Sequence, residues 1–137
     1  MHHLHIALNV QDLGLSVEFY SAIFNTRPDK RTGSYARFTL ENPALVLALN
    51  LKAKVRSGER VPHFGFRLEP DGTFSGIHER LLERGLLRKR EQGVLCCHAV
   101  QNKLWVRDPD GNNWEFYEVL QDLTPQEAAG DGRRGCC

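Results

Sequence analysis

Residues 3–10, His-Leu-His-Ile-Ala-Leu-Asn-Val, alternate strictly between two faces. Leu4, Ile6, Leu8 and Val10 share one face; His3, His5, Ala7 and Asn9 share the other. That period of two predicts a strand with one apolar face and one polar, small-residue face. Asp12 is placed to cap a helix over 13–24, with Leu13, Val17, Tyr20 and Phe24 on one stripe. Residues 27–32 are polar and read as a strand turning at Gly33. Residues 34–40 and 44–50 read as two strands joined at Asn42-Pro43. A charged link, Lys52 to Arg60, follows.

The plan then repeats. In 62–69, Phe64, Phe66 and Leu68 share one face, and His63, Gly65 and Arg67 the other. A helix is predicted over 73–84, with Phe74, Ile77, Leu81 and Leu82 as its stripe and Gly85 as its C-terminal cap. Strands are predicted at 86–92, 102–107 and 113–119, with a turn at Asp108-Pro109-Asp110-Gly111 before the last. Residues 122–137, rich in Pro, Gly and charge, read as a flexible tail ending in Cys136-Cys137. Laying His5 on His63, 58 residues apart, superposes Ile6 on Phe64, Ala7 on Gly65 and Leu8 on Phe66. The expected fold is therefore α+β. It has two βαβββ modules, about 1–51 and 61–121, within a domain of 1–121. Each module is too small to bury its helix and sheet alone, so the two are expected to pair as a half-open barrel. The helices would cover the apolar faces, and the polar faces would line a shared cavity.

Composition narrows the class. At 137 residues, 41% hydrophobic and 26% charged, the chain is sized and mixed as one globular domain. A net charge of +1 gives no field that would recruit nucleic acid or an anionic membrane. No apolar run approaches the roughly 20 residues of a bilayer span, and no signal-peptide pattern opens the chain. The expected location is the cytoplasm, and the expected state a monomer or homodimer. The four cysteines form two adjacent pairs, Cys96-Cys97 and Cys136-Cys137. A bridge between neighbours closes almost no loop and so staples little. As free thiols, two side by side suit a soft metal or metalloid. The plainer alternative is that they are small buried residues.

The polar faces carry candidate metal chemistry. His5 and His63 occupy the same position in the two copies. In the last strand, Asn113, Glu115 and Tyr117 alternate with Trp114 and Phe116, so Glu115 is expected to point into the cavity. A strand histidine or glutamate taken singly is more often an ordinary surface residue. The agreement of three on one face across a repeat favours a site. Two imidazoles and one carboxylate with open positions suit Fe(II) and oxygen chemistry, although Ni, Co, Mn or Zn can fill such a site. His3 shares the face of His5 and is the alternative ligand; the repeat register favours His5. The matching strand of the first copy, Ala44 to Leu49, offers no second carboxylate. Trp105 and Trp114 read as packing residues, Tyr20 as core and Lys103 as solvent-exposed.

Residues 3–120 resemble the vicinal-oxygen-chelate superfamily of glyoxalases, bleomycin-resistance proteins and extradiol dioxygenases. The likeness rests on His5-Ile-Ala-Leu-Asn-Val-Gln-Asp-Leu13 with Ser16-Val-Glu-Phe-Tyr20, and on Asp108-Pro-Asp-Gly-Asn-Asn-Trp-Glu115. Cys96-Cys97-His98-Ala99, Lys103-Leu-Trp-Val106 and Trp114-Glu115 narrow it to the branch of the C–As lyases and cadmium-induced proteins. That resemblance implies metal ligation by His5, His63 and Glu115, and capture of a trivalent organoarsenical by Cys96 and Cys97. It also implies Fe(II)- and O2-dependent cleavage of the carbon–arsenic bond, as of methylarsenite, releasing arsenite. The branch usually has Tyr where this chain has His98, and an acidic residue where it has Asn102. His98, Lys103, Cys136 and Cys137 are candidate accessory residues. Binding of cadmium or arsenic without turnover is the competing reading. Another dioxygenase or glyoxalase-like activity is a further one. An antibiotic-sequestering dimer fits neither the ligand triad nor the thiols.

Overall fold

The computed structural model describes residues 2–56, 58, 60–96 and 98–130. Two compact units emerge, Met1–Pro62 with Arg107–Asn112, and His63–Val106 with Asn113–Cys137. The first holds strand β1 (Leu4–Val10), helix α1 (Leu13–Phe24), β2 (Lys30–Arg31), β3 (Tyr35–Glu41) and β4 (Ala44–Leu51). The second holds β5 (Phe64–Arg67), α2 (Thr73–Glu83), β6 (Lys89–Cys96), β7 (Ala99–Arg107), β8 (Asn113–Asp122) and a short α3 (Pro125–Gly130). The strand orders, β1-β4-β3-β2 and β5-β8-β7-β6, are the same. The fold is α+β, built of two βαβββ modules. No described helix is long and apolar enough to cross a membrane.

The repeat extends to register. β1 pairs in parallel with β4, Ile6 opposite Leu47 and Ala7 opposite Ala48. β5 pairs in parallel with β8, Phe64 opposite Trp114 and Gly65 opposite Glu115. Ala48 is thus the first-unit counterpart of Glu115, which is why the chain carries a carboxylate in one copy only. Each sheet buries its apolar face under its helix. Val10, Val17, Tyr20, Phe38, Leu47 and Leu49 form the first core; Leu81, Leu104, Trp114 and Phe116 belong to the second. Burying side chains of this size contributes about 1.5–3 kcal/mol each.

Local chemistry accounts for the helix ends. The Asp12 carboxylate accepts from the Leu15 N–H at 2.9 Å, satisfying a free donor of the first turn of α1. Asn25 closes α1 in the left-handed conformation. After α2, Gly85 takes φ +65° and its N–H donates to the Leu82 carbonyl. Phe74, Ile77 and Leu81 are buried as expected, but Leu82 is 56% exposed. It lies about 100° around the helix from Leu81 and leaves the stripe. The polar segment 27–32 yields only the two-residue β2, because it has no apolar alternation to hold a longer strand. The region read as tail contains α3. Its first turn is a capping box: the Glu127 carboxylate accepts from the Thr124 N–H at 2.7 Å, and the Thr124 hydroxyl accepts from the Glu127 N–H at 3.2 Å. Cys136 and Cys137 lie outside the described residues.

The turn Asp108–Gly111 counts with the first unit, and Asp108 is its anchor. Its buried carboxylate accepts from the Tyr20 hydroxyl, from the Asn112 side chain at 2.7 Å, and from the N–H groups of Asp110 and Asn112. Asp110 in turn accepts from the Gln11 N–H at 3.0 Å, and burial raises its carboxyl pKa above the ordinary value. Replacing Asp108 with Ala removes the shared acceptor of these four donors. The expected loss is about 3 kcal/mol, read as a lower midpoint in urea unfolding. A variant with unchanged midpoint would show that the knot contributes nothing.

Candidate functional site

The polar face of the second sheet gathers its ionisable groups on adjacent strands. Glu115 lies on β8, between Gly65 on β5 and Lys103 on β7. Opposite Lys103, on β6, stands Glu91. Strand alternation puts Gln101, Lys103 and Trp105 on the same side as Asn113, Glu115 and Tyr117. Lys103 is 2% exposed, contrary to the expectation that it faces solvent. Its ammonium donates to Glu115 Oε2 at 3.0 Å and lies 5.7 Å from the ring centroids of Trp105 and Tyr117. On this inward strand face a carboxylate and two aromatic rings take the place of water around the Lys103 side chain. The spacing Lys103–Trp105, set against Glu115 one strand away, was the signal available in the sequence; the usual exposure of lysine masked it.

The other oxygen, Glu115 Oε1, lies 3.5 Å from His63 Nε2. The His63 ring packs edge-on against Trp105, centroids 5.2 Å apart. Two ligand atoms bound to one divalent ion at about 2.0–2.2 Å sit about 3.0–3.5 Å from each other. The 3.5 Å between imidazole and carboxylate lies at the upper end of that range. Gly65 makes room for this: a Cβ there would fall 2.5 Å from Glu115 Cγ. Gly65→Ala should push Glu115 aside and destabilise the protein by about 1–3 kcal/mol, measured by thermal unfolding. Unchanged stability would show that the Glu115 chain has room elsewhere.

His5 lies in the first unit, on the exposed face of β1, with Val46 as its partner on β4. It holds the register position that His63 holds in the second unit. No group of three His, Cys, Asp or Glu side chains that could hold a metal ion is found among the described residues. His3, the alternative ligand, has Nε2 3.3 Å from Glu41 Oε2 but makes no hydrogen bond there.

Cys96 ends β6 and pairs with Ala99, the first residue of β7. Cys96 is thus the last residue of β6, three positions before β7 begins; Cys97 lies outside the described residues. His98 is exposed at φ +60°, and its carbonyl accepts from the Leu123 N–H at 2.8 Å, tying the end of β8 to the hairpin. Asn102 explains its own departure from an acidic residue. Its Oδ1 accepts from the Gly93 N–H at 3.0 Å, and its Nδ2 donates to Glu118 Oε1 at 3.1 Å. A carboxylate at this position could not donate to Glu118 and would repel it. Sequence reading missed this brace. It also missed the register irregularity between Glu91 and Val94 that Gly93, at φ +63°, accommodates. Trp105 is more than packing, since its indole N–H donates to Glu91 at 2.7 Å; Trp114, 1% exposed, packs against Phe64 and Phe66.

A sequence profile of the glyoxalase/bleomycin resistance protein/dioxygenase superfamily matches residues 2–116. The chain belongs to this superfamily. Among its relatives, a trivalent organoarsenical cleaving enzyme of Bacillus sp. strain MD1 is 42% identical over 85% of this chain and 73% of that protein. The cadmium-induced protein CadI of Mycobacterium tuberculosis H37Rv is 39% identical over 98% of this chain and 85% of its own. The fold likeness extends to a glyoxalase/bleomycin resistance protein/dioxygenase from Alicyclobacillus acidocaldarius. That structure has a TM-score of 0.67 at 18% identity, covering 88% of this chain and 92% of its own. Members of the superfamily share this architecture across different reactions, so the side chains must decide the chemistry.

Proposed function

We propose that this protein cleaves the carbon–arsenic bond of trivalent organoarsenicals in an Fe(II)- and O2-dependent reaction, in which one O2 oxidises the methyl group of methylarsenite to formaldehyde and arsenite is released. The observation that carries the reading is the 3.5 Å approach of His63, just before β5, to Glu115 on β8, in the sheet whose strand β6 ends at Cys96. The name of the Bacillus relative supports the same substrate class. His5, His63 and Glu115 are the ligands in this proposal, and Fe(II) would supply the capacity to bring O2 into reaction with the substrate.

The chain's own groups do the rest. Methylarsenite carries one carbon substituent and two exchangeable As–O bonds. The thiols of Cys96 and Cys97 replace both oxygens, forming two As–S bonds and releasing two molecules of water. The methyl group is then the one substituent left free. Holding the arsenical on a hairpin of the metal-bearing sheet makes the encounter effectively intramolecular. Trp105 and Tyr117 set their rings beside the Lys103 ammonium that holds Glu115. An oxygen electrode tests the reading: O2 uptake should require the Fe(II)-loaded protein and methylarsenite together. Equal uptake without the arsenical would count against it.

A second reading is favoured by the similarity to the cadmium-induced protein. The thiol pairs would sequester a soft ion without turnover, one ion per pair. Stable arsenic on the protein with no O2 uptake would select it.

A further inference from the structure

Glu115 is held from both sides by residues that no ligand set requires. On one side Gly65 leaves space for its Cγ. On the other, the buried Lys103 ammonium takes Oε2 at 3.0 Å, and only Oε1 remains toward His63 Nε2. A carboxylate free to rotate can offer a cation one oxygen or two. Here the second oxygen is already engaged by a charge-assisted hydrogen bond in a site with almost no water access. We propose that Lys103 is a positioning residue that confines Glu115 to one-oxygen ligation and so keeps an additional coordination position open. The inference rests on the proposed ligand role of Glu115. It concerns a residue that touches neither the ion nor the substrate. The charge count agrees with it. Lys103 cancels the single negative charge of Glu115, so the side-chain set of two imidazoles, one carboxylate and one ammonium is neutral. An anionic co-ligand on the open position is then favoured.

The test uses the full chain loaded anaerobically with Co(II), whose visible absorption reports coordination number. In a structure of the Co(II)-loaded wild-type protein, Glu115 should bind through Oε1 alone, with Oε2 still on Lys103. In Lys103→Met both oxygens are free to chelate, so the visible bands should lose intensity as coordination number rises. Lys103→Arg should restore the wild-type spectrum. Two-oxygen chelation in the wild-type protein, or a Lys103→Met spectrum identical to wild type, would overturn the inference. The wild-type structure decides the matter even if Lys103→Met does not fold. Glu115→Gln separates the two failures. If it binds Co(II) with wild-type affinity and spectrum, Glu115 is not a ligand and the metal reading itself is wrong. If it loses Co(II) while Lys103→Met keeps the wild-type spectrum, the metal reading stands and only the role of Lys103 is refuted.

Discussion

Cys96→Ser and Cys97→Ser should each reduce methylarsenite turnover by at least about 100-fold while leaving Fe(II) binding unchanged. In the proposed reaction two adjacent thiolates chelate the arsenic, so the second As–S bond forms at a high effective concentration once the first exists. A single thiolate leaves the other valence on water, and the arsenical dissociates between encounters. Serine cannot substitute, because its hydroxyl is far less acidic than a thiol and an As–O ester exchanges readily with water. The backbone of the hairpin is set by the Cys96–Ala99 pairing, by the bond from the Leu123 N–H to the His98 carbonyl, and by the Asn102 brace. None of these uses a cysteine side chain, so the loss should be one of capture and not of folding. Steady-state arsenite release gives the rate, and metal analysis of the same samples gives iron content. Normal turnover by both variants would remove the thiols from the reaction.

Glu115→Ala should abolish stoichiometric Fe(II) binding and also weaken the fold. Removing the carboxylate takes away a proposed ligand and strands the buried Lys103 ammonium. Breaking one partner out of a buried ion pair costs about 3–5 kcal/mol. The two effects separate in Glu115→Gln. Its amide oxygen still accepts from Lys103, so most of the stability should return, whereas the neutral amide is a poor ligand and iron should stay absent. Calorimetric unfolding and iron stoichiometry on both variants make the comparison. Full iron occupancy in Glu115→Ala would exclude the residue from the site.

The sequence carried the fold through its periodicities. Alternation in 3–10 and 113–119 placed His5 and Glu115 on the polar faces, and the strands form in the same register in both units. Asp12 and Gly85 marked helix ends because their chemistry is local. The rest depended on partners distant in the chain. The burial of Lys103 follows from Glu115 on the next strand, which no local pattern around Lys103 announces. Asp108 reads as turn chemistry, yet half its role is to receive the Tyr20 hydroxyl from 88 residues away. The capping box at Thr124 and Glu127 was legible in principle, but the Pro- and Gly-rich composition around it obscured it. The thiol pair stood out because adjacent cysteines are poor structural staples. Its proposed function rests on resemblance.

The account turns on whether this chain breaks a carbon–arsenic bond. The direct measurement is arsenite release from methylarsenite by the anaerobically Fe(II)-loaded protein, before and after air is admitted. The account predicts no arsenite under nitrogen and more than one arsenite per protein after air. Arsenic held on the protein with no arsenite released in air would contradict it and leave a metalloid-binding protein in its place.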